Sequence, residues 1–246
     1  MILTSKNNPL VKETVALKDK KGRKESSLFL VEGAKMVAEC QKSSMAIERI
    51  IVSERFQGSV PENAVVVSED VFRLLSDEKT PQGILCRVKI PSREFVKPSE
   101  SCLLLDGVSD PGNMGAIIRT ANAAGYKKLY CIGCVDPYSP KSVRASMSGI
   151  FFTELYMGTK EEILPLFDET PILSADMDGE NIFSFTPPKK FALAIGNEAN
   201  GISREVFEKS QYKIRIPMEQ TQESLNAAVA AGIAMYQLKQ EKFKSN

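Results

Sequence analysis

The chain has 246 residues, enough for one large domain or two modest ones, with hydrophobic and charged fractions of 43% and 26% that are ordinary for a globular protein. A formal net charge of +1 provides no bulk attraction to nucleic acid, and the lack of any histidine excludes Ser-His-Asp and Cys-His nucleophilic catalysis and most catalytic zinc sites. Five cysteines with no disulfide-scaffold spacing, no secretory apolar segment and a longest apolar run (Ala227–Tyr236) too short for a bilayer lead us to expect a cytoplasmic protein outside any membrane.

In chain order, a helical pattern covers Pro9–Asp19. Seven Lys or Arg lie between Lys6 and Lys24 against Glu13 and Asp19. Lys12, Lys18, Lys20, Lys21, Arg23 and Lys24 are therefore candidate phosphate contacts, and a solvated helix face is the competing reading. Apolar strands are expected at Leu28–Val31, Ile50–Val52, Ala64–Val67 and Ile84–Ile90. Helices are expected at Gly33–Gln41 and Glu69–Leu75, the latter with Ser68 as N-cap. This is a small α/β domain. The segment Ile90–Ser101, with its prolines, serines and charges, breaks both periodicities and reads as a linker. We place the N-terminal domain at residues 1–95, the linker at 96–101 and the C-terminal domain at 102–246.

The C-terminal half alternates short apolar strands (Cys102–Leu105, Leu129–Ile132, Ile172–Ala175, Phe191–Ile195, Lys213–Ile216) with helical or mixed segments. That alternation predicts a mostly parallel sheet covered on both faces, an α/β fold. Ligands of such sheets bind beyond the carboxyl ends of the strands, and three polar, glycine-bearing loops fall at those ends. The first runs from Asp106 through Asn113 into a helix that Gly125 can terminate. On that helix Gly115, Arg119 and Asn122 share one face, so Arg119 would lean back over Gly115 toward the loop. An exposed arginine without a role is the alternative.

The second loop, Gly196–Gly201, brackets Glu198 between glycines, and Gly196 would let a flat ligand approach the backbone. The third, from Pro217 to Asn226, leads into a final helix with Ser224 as expected N-cap. Ala227–Tyr236 is apolar on every side and rich in small residues, the pattern of a buried helix or a dimer contact. Two other motifs are weaker. Cys131-Ile-Gly-Cys134 lacks the further ligands a zinc site needs, so no metal is expected, and buried structural thiols are a simpler reading than a redox pair. Asp106-Gly107 follows a strand, but the G-x-G-x-x-G dinucleotide fingerprint is absent.

Taken together, Asn113, Gly115 and Arg119, then Gly196, Glu198 and Gly201, then Ile216–Met218 with Ser224–Asn226, resemble in order the three motifs of the SpoU, or TrmH-like, RNA ribose 2′-O-methyltransferases of the SPOUT superfamily. Asp136–Ser146 also looks like sequence of this family. Phe29–Gly33 resembles the ribosomal-protein-like RNA-binding domain that many members carry. Gln220, Ala227 and Ala228 depart from the usual third motif, touching loop flexibility and helix packing.

The resemblance implies a trefoil knot in the catalytic domain, which strand patterns could not reveal. It implies a homodimer acting on ribosomal or transfer RNA, and S-adenosylmethionine held near Ser174, Ile195, Gly196, Ile216, Met218 and Leu225. It casts Arg119 as essential, either as base or as phosphate anchor. Asn113, Ser224 and Asn226 would orient the ribose or its phosphate, Glu198 would brace Arg119 and its loop, and Arg144 would join the RNA contacts. A knotted RNA-binding protein without catalysis and a base methyltransferase are the alternatives. The intact Asn113, Arg119, Glu198 and Asn226 argue against lost catalysis, and the Ser-Leu-Asn and Asn-x-Gly motifs favour ribose.

Overall fold

The structure, a computed structural model, describes residues 2–221 and 224–244, with the backbone alone at Met177. Gln222 and Glu223 of the third loop lie outside the described residues. The chain divides into two compact units. One comprises Met1–Ser92 and Asp136–Phe151, the other Arg93–Val135 and Phe152–Asn246. The excursion Asp136–Phe151 lies within the stretch we assigned by sequence to the C-terminal domain, and nothing in its local pattern announces it.

In the first unit, helix α1 (Pro9–Ala16) starts where Asn8 Oδ1 accepts from the Leu10 N–H at 2.9 Å, with Pro9 at the first helical position. We expected this helix to run to Asp19. It ends early because α2 (Lys20–Ser26) crosses its end. A Cβ on Gly22 would lie 2.1 Å from the Ala16 carbonyl oxygen. There Arg23 Nη1 donates to the carbonyls of Leu17 and Lys18, both at 2.8 Å.

Strand β1 (Leu28–Glu32), α3 (Ala34–Lys42), β2 (Ile47–Ser53), β3 (Val65–Val67), α4 (Glu69–Leu75) and β4 (Ile84–Lys89) follow. They build a four-stranded sheet in the order β1-β4-β2-β3, in which β4 is antiparallel to both neighbours and β2 is parallel to β3. Val11, Leu17, Leu30, Ile51, Phe72 and Leu85 pack in one buried cluster. Ser68 sits at the start of α4 but its side chain makes no cap bond; the Glu69 N–H donates instead to Glu54 Oε1 at 3.0 Å.

The second unit holds six parallel strands. Strand β5 (Cys102–Asp106) leads to α5 (Pro111–Ala124), and β6 (Lys128–Ile132) follows. The chain then enters the excursion, where α6 (Pro140–Ala145) belongs to the first unit. It returns through β7 (Glu154–Gly158), α7 (Lys160–Ile163), β8 (Ile172–Asn181), β9 (Ala192–Ile195), α8 (Arg204–Glu208), β10 (Tyr212–Arg215), α9 (Ala227–Gln237) and α10 (Gln240–Lys244). The sheet order is β10-β8-β9-β5-β6-β7.

Strands β5 and β9 are buried along their whole length, as a parallel sheet covered on both faces requires. Strand β7 had no apolar signal strong enough to predict. It is an edge strand whose Met157 is exposed, so burial does not impose an apolar pattern on it. Among the described residues no helix is long and apolar enough to cross a membrane.

Candidate active site

The three loops arise at the carboxyl ends of β5, β9 and β10. β5 pairs with β9, and β8 lies between β9 and β10. The first loop delivers α5, which is specified at both ends. Asp110 Oδ1 accepts from the Asn113 N–H at 2.8 Å, Pro111 presets the first turn, and Gly125 adopts φ 76° at the C-terminus. Asn113 is thereby fixed in the first turn, and Arg119 projects from α5 into solvent.

The second loop folds back on itself. The Asn197 N–H donates to the Gly201 carbonyl at 2.8 Å and the Gly201 N–H to the Asn197 carbonyl at 2.9 Å. We expected Gly196 to make room for a ligand. Its lack of a side chain is demanded by the protein itself, since a Cβ there would lie 2.3 Å from the Gly201 carbonyl carbon. Gly201, at φ 67°, closes the turn in the left-handed region. Asn197, not singled out in the sequence, ties this turn to the first loop through Nδ2, which donates to the Gly107 carbonyl at 2.8 Å. Its Oδ1 accepts from the N–H groups of Ala199 and Asn200, the Asx-turn habit that could have marked it.

Glu198 is the acceptor on which the first loop converges. It receives the Ser109 N–H at 3.1 Å, the Ser109 hydroxyl at 2.7 Å, the Asp110 N–H at 3.3 Å and Asn113 Nδ2 at 2.9 Å. Partial burial works against its charge, but the hydrogen bonds from Asn113 and Ser109 outweigh it and lower the carboxyl to about 2. The carboxylate holds the loop and not Arg119, which has no hydrogen-bond or ion-pair partner among the described residues. Bracing of Arg119 by Glu198 is thus corrected: the acceptor capacity of Glu198 is taken up by Ser109, Asp110 and Asn113.

The third loop joins the same chain of contacts. Asn226, not Ser224, is the N-cap of α9. Its Oδ1 accepts from the N–H groups of Ala228 at 3.0 Å and Val229 at 3.2 Å, while its Nδ2 donates to Asn113 Oδ1 at 2.9 Å. The direction of the chain Asn226→Asn113→Glu198 is dictated at both ends. A carboxylate only accepts and helix-terminal N–H groups only donate, so each amide can face one way alone. Ser224 is exposed and Leu225 half-buried.

Residues suited to a nucleoside-bearing cofactor lie on adjacent strands. Ser174 on β8 is fully buried beside Ala194 of β9, and its hydroxyl has no partner among the described residues, an orphan that a ligand would satisfy. Ile195 ends β9, Ile216 follows β10 and is half-buried, and Met218 is 40% exposed. An unfilled hydroxyl flanked by apolar side chains fits an adenosine-like group.

The basic candidates divide, all within the first unit. Lys12, Lys20, Lys21 and Lys24 are exposed. Arg23 is only 4% exposed and pairs with Asp136 at 2.7 Å, so it is a structural group and not a phosphate contact. Lys18 is committed to the carbonyls of Leu74 and Ser76. Arg144 is held by Asp77 at 2.7 Å and Glu78 at 2.8 Å.

A parallel α/β sheet with three cross-linked loops at its carboxyl edge, and on the helix leading from the first of them an arginine without a polar partner among the described residues, is the arrangement that the three motifs call for. Residues 100–236 match the SpoU rRNA methylase family and residues 8–86 an MRM3-like substrate binding domain. The chain is 30% identical, over 96% of its length and 98% of the relative's, to the 23S rRNA (guanosine(2553)-2′-O)-methyltransferase RlmP of Bacillus subtilis. It superposes with a TM-score of 0.87 on the AdoMet-bound rRNA methyltransferase of Sinorhizobium meliloti, at 27% identity and 98% coverage of both chains. The SpoU methyltransferase AviRb of Streptomyces viridochromogenes, in complex with AdoMet, gives a TM-score of 0.87 at 25% identity, covering 96% of this chain and 99% of that one. The chain belongs to the SpoU family of RNA methyltransferases.

Proposed function

We propose that this protein transfers a methyl group from S-adenosylmethionine to a ribose 2′-hydroxyl of 23S ribosomal RNA. The observation that carries the reading is the hydrogen-bonded chain from Asn226 through Asn113 to Glu198, which joins the three motif loops at the start of the helix that carries Arg119. The likeness to RlmP along nearly the whole of both chains supports ribosomal over transfer RNA.

The cofactor supplies an already activated methyl on a sulfonium, so the protein's task is alignment and charge. Ser174, Ile195, Gly196, Ile216, Met218 and Leu225 would hold it at the carboxyl edge of the sheet. Glu198 pins the Ser109–Asn113 loop, and Asn113, Ser224 and Asn226 present side chains that orient the ribose. Arg119 is exposed, and a guanidinium is a donor-only cation with no lone pair free to take up a proton, so it does not serve as the base. It acts as a fixed cation that draws the substrate phosphate and favours ionisation of the neighbouring hydroxyl.

The unit of residues 1–92 and 136–151 supplies the RNA-binding domain, with Lys12, Lys20, Lys21 and Lys24 contributing phosphate contacts, and the unit of residues 93–135 and 152–246 is the catalytic domain. The protein works in the cytoplasm as a homodimer, and the catalytic domain carries the family's trefoil knot. For the dimer the support is the face of α9, where Val229 and Tyr236, two turns apart, are 52% and 43% exposed.

The test is mass spectrometry of nucleosides from ribosomal RNA isolated from cells lacking the gene, then incubated with the protein and S-adenosylmethionine. A new 2′-O-methyl nucleoside is the expected result. A base-methylated nucleoside, or RNA bound without methylation, would overturn it.

A further inference from the structure

Two sulfurs lie at the root of the first loop, outside the three motifs. Cys131 is on β6 and fully buried, and Cys134 follows two residues past the strand end, across a turn that Gly133 makes at φ 60°. Leu105 is the residue that pairs with Cys131 across β5 and β6, and the Cys134 sulfur turns back over this strand end. Cys134 Sγ lies 3.3 Å from the Leu105 carbonyl and 3.4 Å from that of Ile132. The turn that carries Cys134 is stitched to the root of the catalytic loop. The Gly107 N–H donates to the Ile132 carbonyl at 2.8 Å, and the Val135 N–H to the Val108 carbonyl at 2.9 Å. Ser109, the next residue, donates to Glu198.

Accessibility separates this pair from the other thiols. Cys40, Cys86 and Cys102 are buried, as is Cys131, and Cys134 alone of the five is half-exposed. Burial pushes the Cys102 thiol up to about 12, leaving it inert at neutral pH. Cys134 moves the other way, since the hydrogen bond from Cys131 lowers its thiol below the ordinary range. The same contact, with burial, raises Cys131. An accessible thiol with the more thiolate character beside a buried partner is the division of labour between an attacking and a resolving cysteine.

We propose that Cys131 and Cys134 form a reversible dithiol–disulfide site, oxidised by a hydroperoxide, that governs the geometry of the Gly107–Asn113 loop. The Cys134 sulfur attacks a peroxide oxygen; the S–O bond forms, the O–O bond breaks, and the alcohol or water leaves with a proton. Cys131 then attacks the Cys134 sulfenic acid; the S–S bond forms, the S–O bond breaks, and water leaves with the Cys131 proton. Two electrons pass from the thiol pair to the peroxide, and a dithiol such as dithiothreitol returns them.

The disulfide places new demands on both β-carbons and removes the donor that Cys134 offers the Leu105 carbonyl, one residue before Asp106. The strain falls on the loop that Glu198 must hold.

The test treats the full protein with hydrogen peroxide and blocks remaining thiols with N-ethylmaleimide. Peptides are then mapped by mass, and single-turnover methyl transfer is measured before oxidation, after it and after dithiothreitol. We expect a Cys131–Cys134 disulfide with the other three cysteines still reduced, and transfer falling by about tenfold or more, roughly 1.4 kcal/mol of barrier, then recovering on reduction. C134S should escape the peroxide effect.

Cys134 oxidised alone with Cys131 still free would overturn the proposal, as would a disulfide that leaves transfer unchanged. The mapping needs no variant, so a misfolded C134S does not blunt it. Reduced protein without any transfer would count against the methyltransferase reading, whereas thiol mapping judges the disulfide by itself.

Discussion

Asn226 donates from Nδ2 to Asn113 Oδ1 at 2.9 Å, linking residues 113 positions apart through one amide–amide hydrogen bond. The bond couples the start of α9 to the start of α5, because each asparagine is also engaged in its own helix's first turn. An N-cap is worth about 1 kcal/mol, so Asn226→Ala should lower stability by roughly that amount. Asn226→Asp separates the two roles. The aspartate keeps the cap but has no N–H for Asn113, so we expect near-native melting with a large loss of methyl transfer. Equal transfer by wild type and Asn226→Asp would show that the link has no part in the chemistry.

The pH response of Glu198 follows from its lowered pKa. With a folded value of about 2 against the usual 4.5, its stabilisation is fully present above pH 4.5 and is lost as pH falls through about 2. Glu198→Gln lacks this contribution. Denaturant titrations of the two proteins should therefore differ most at neutral pH and converge between about pH 4.5 and pH 2. A constant difference across that window would mean that the charge of Glu198 does not hold the loop.

Arg23 and its lysine neighbours should behave oppositely. Arg23→Ala leaves Asp136 and the Leu17 and Lys18 carbonyls without their donor, and breaking a buried pair costs about 3–5 kcal/mol. Lys20→Gln, Lys21→Gln and Lys24→Gln should leave melting within about 0.5 kcal/mol of wild type. Combined, they should flatten the salt dependence of RNA binding by roughly 0.7 to 0.9 of slope per lost contact. An unchanged slope would make these lysines a solvated face.

Arg119→Ala should nearly abolish single-turnover transfer while cofactor affinity, read by calorimetry, stays close to wild type. Arg119→Lys should also be poor, since an ammonium does not reproduce the planar two-pronged contact with a phosphate. Wild-type transfer by Arg119→Ala would remove the arginine from the mechanism.

The sequence by itself determined the alternation of strands and helices in the C-terminal half, because strands buried on both faces are written as unbroken apolar runs. It also determined where α5 ends, since Gly125 is a local signal that needs no tertiary partner. The three motif loops were legible for the same reason: their glycines and polar residues sit at strand ends. What only the tertiary structure decided depends on partners distant in sequence. Arg23 reads as one more surface cation until Asp136, 113 residues away, is brought against it. Ser224 reads as the cap of α9 until Asn226 is seen to accept from the Ala228 and Val229 N–H groups while its own amide reaches Asn113. Gly196 owes its identity to Gly201 folding back on it, and Glu198 its charge to Ser109 and Asn113 on the neighbouring strand's loop. Periodicity records which face of an element is buried; it carries no record of which remote group lies across from it.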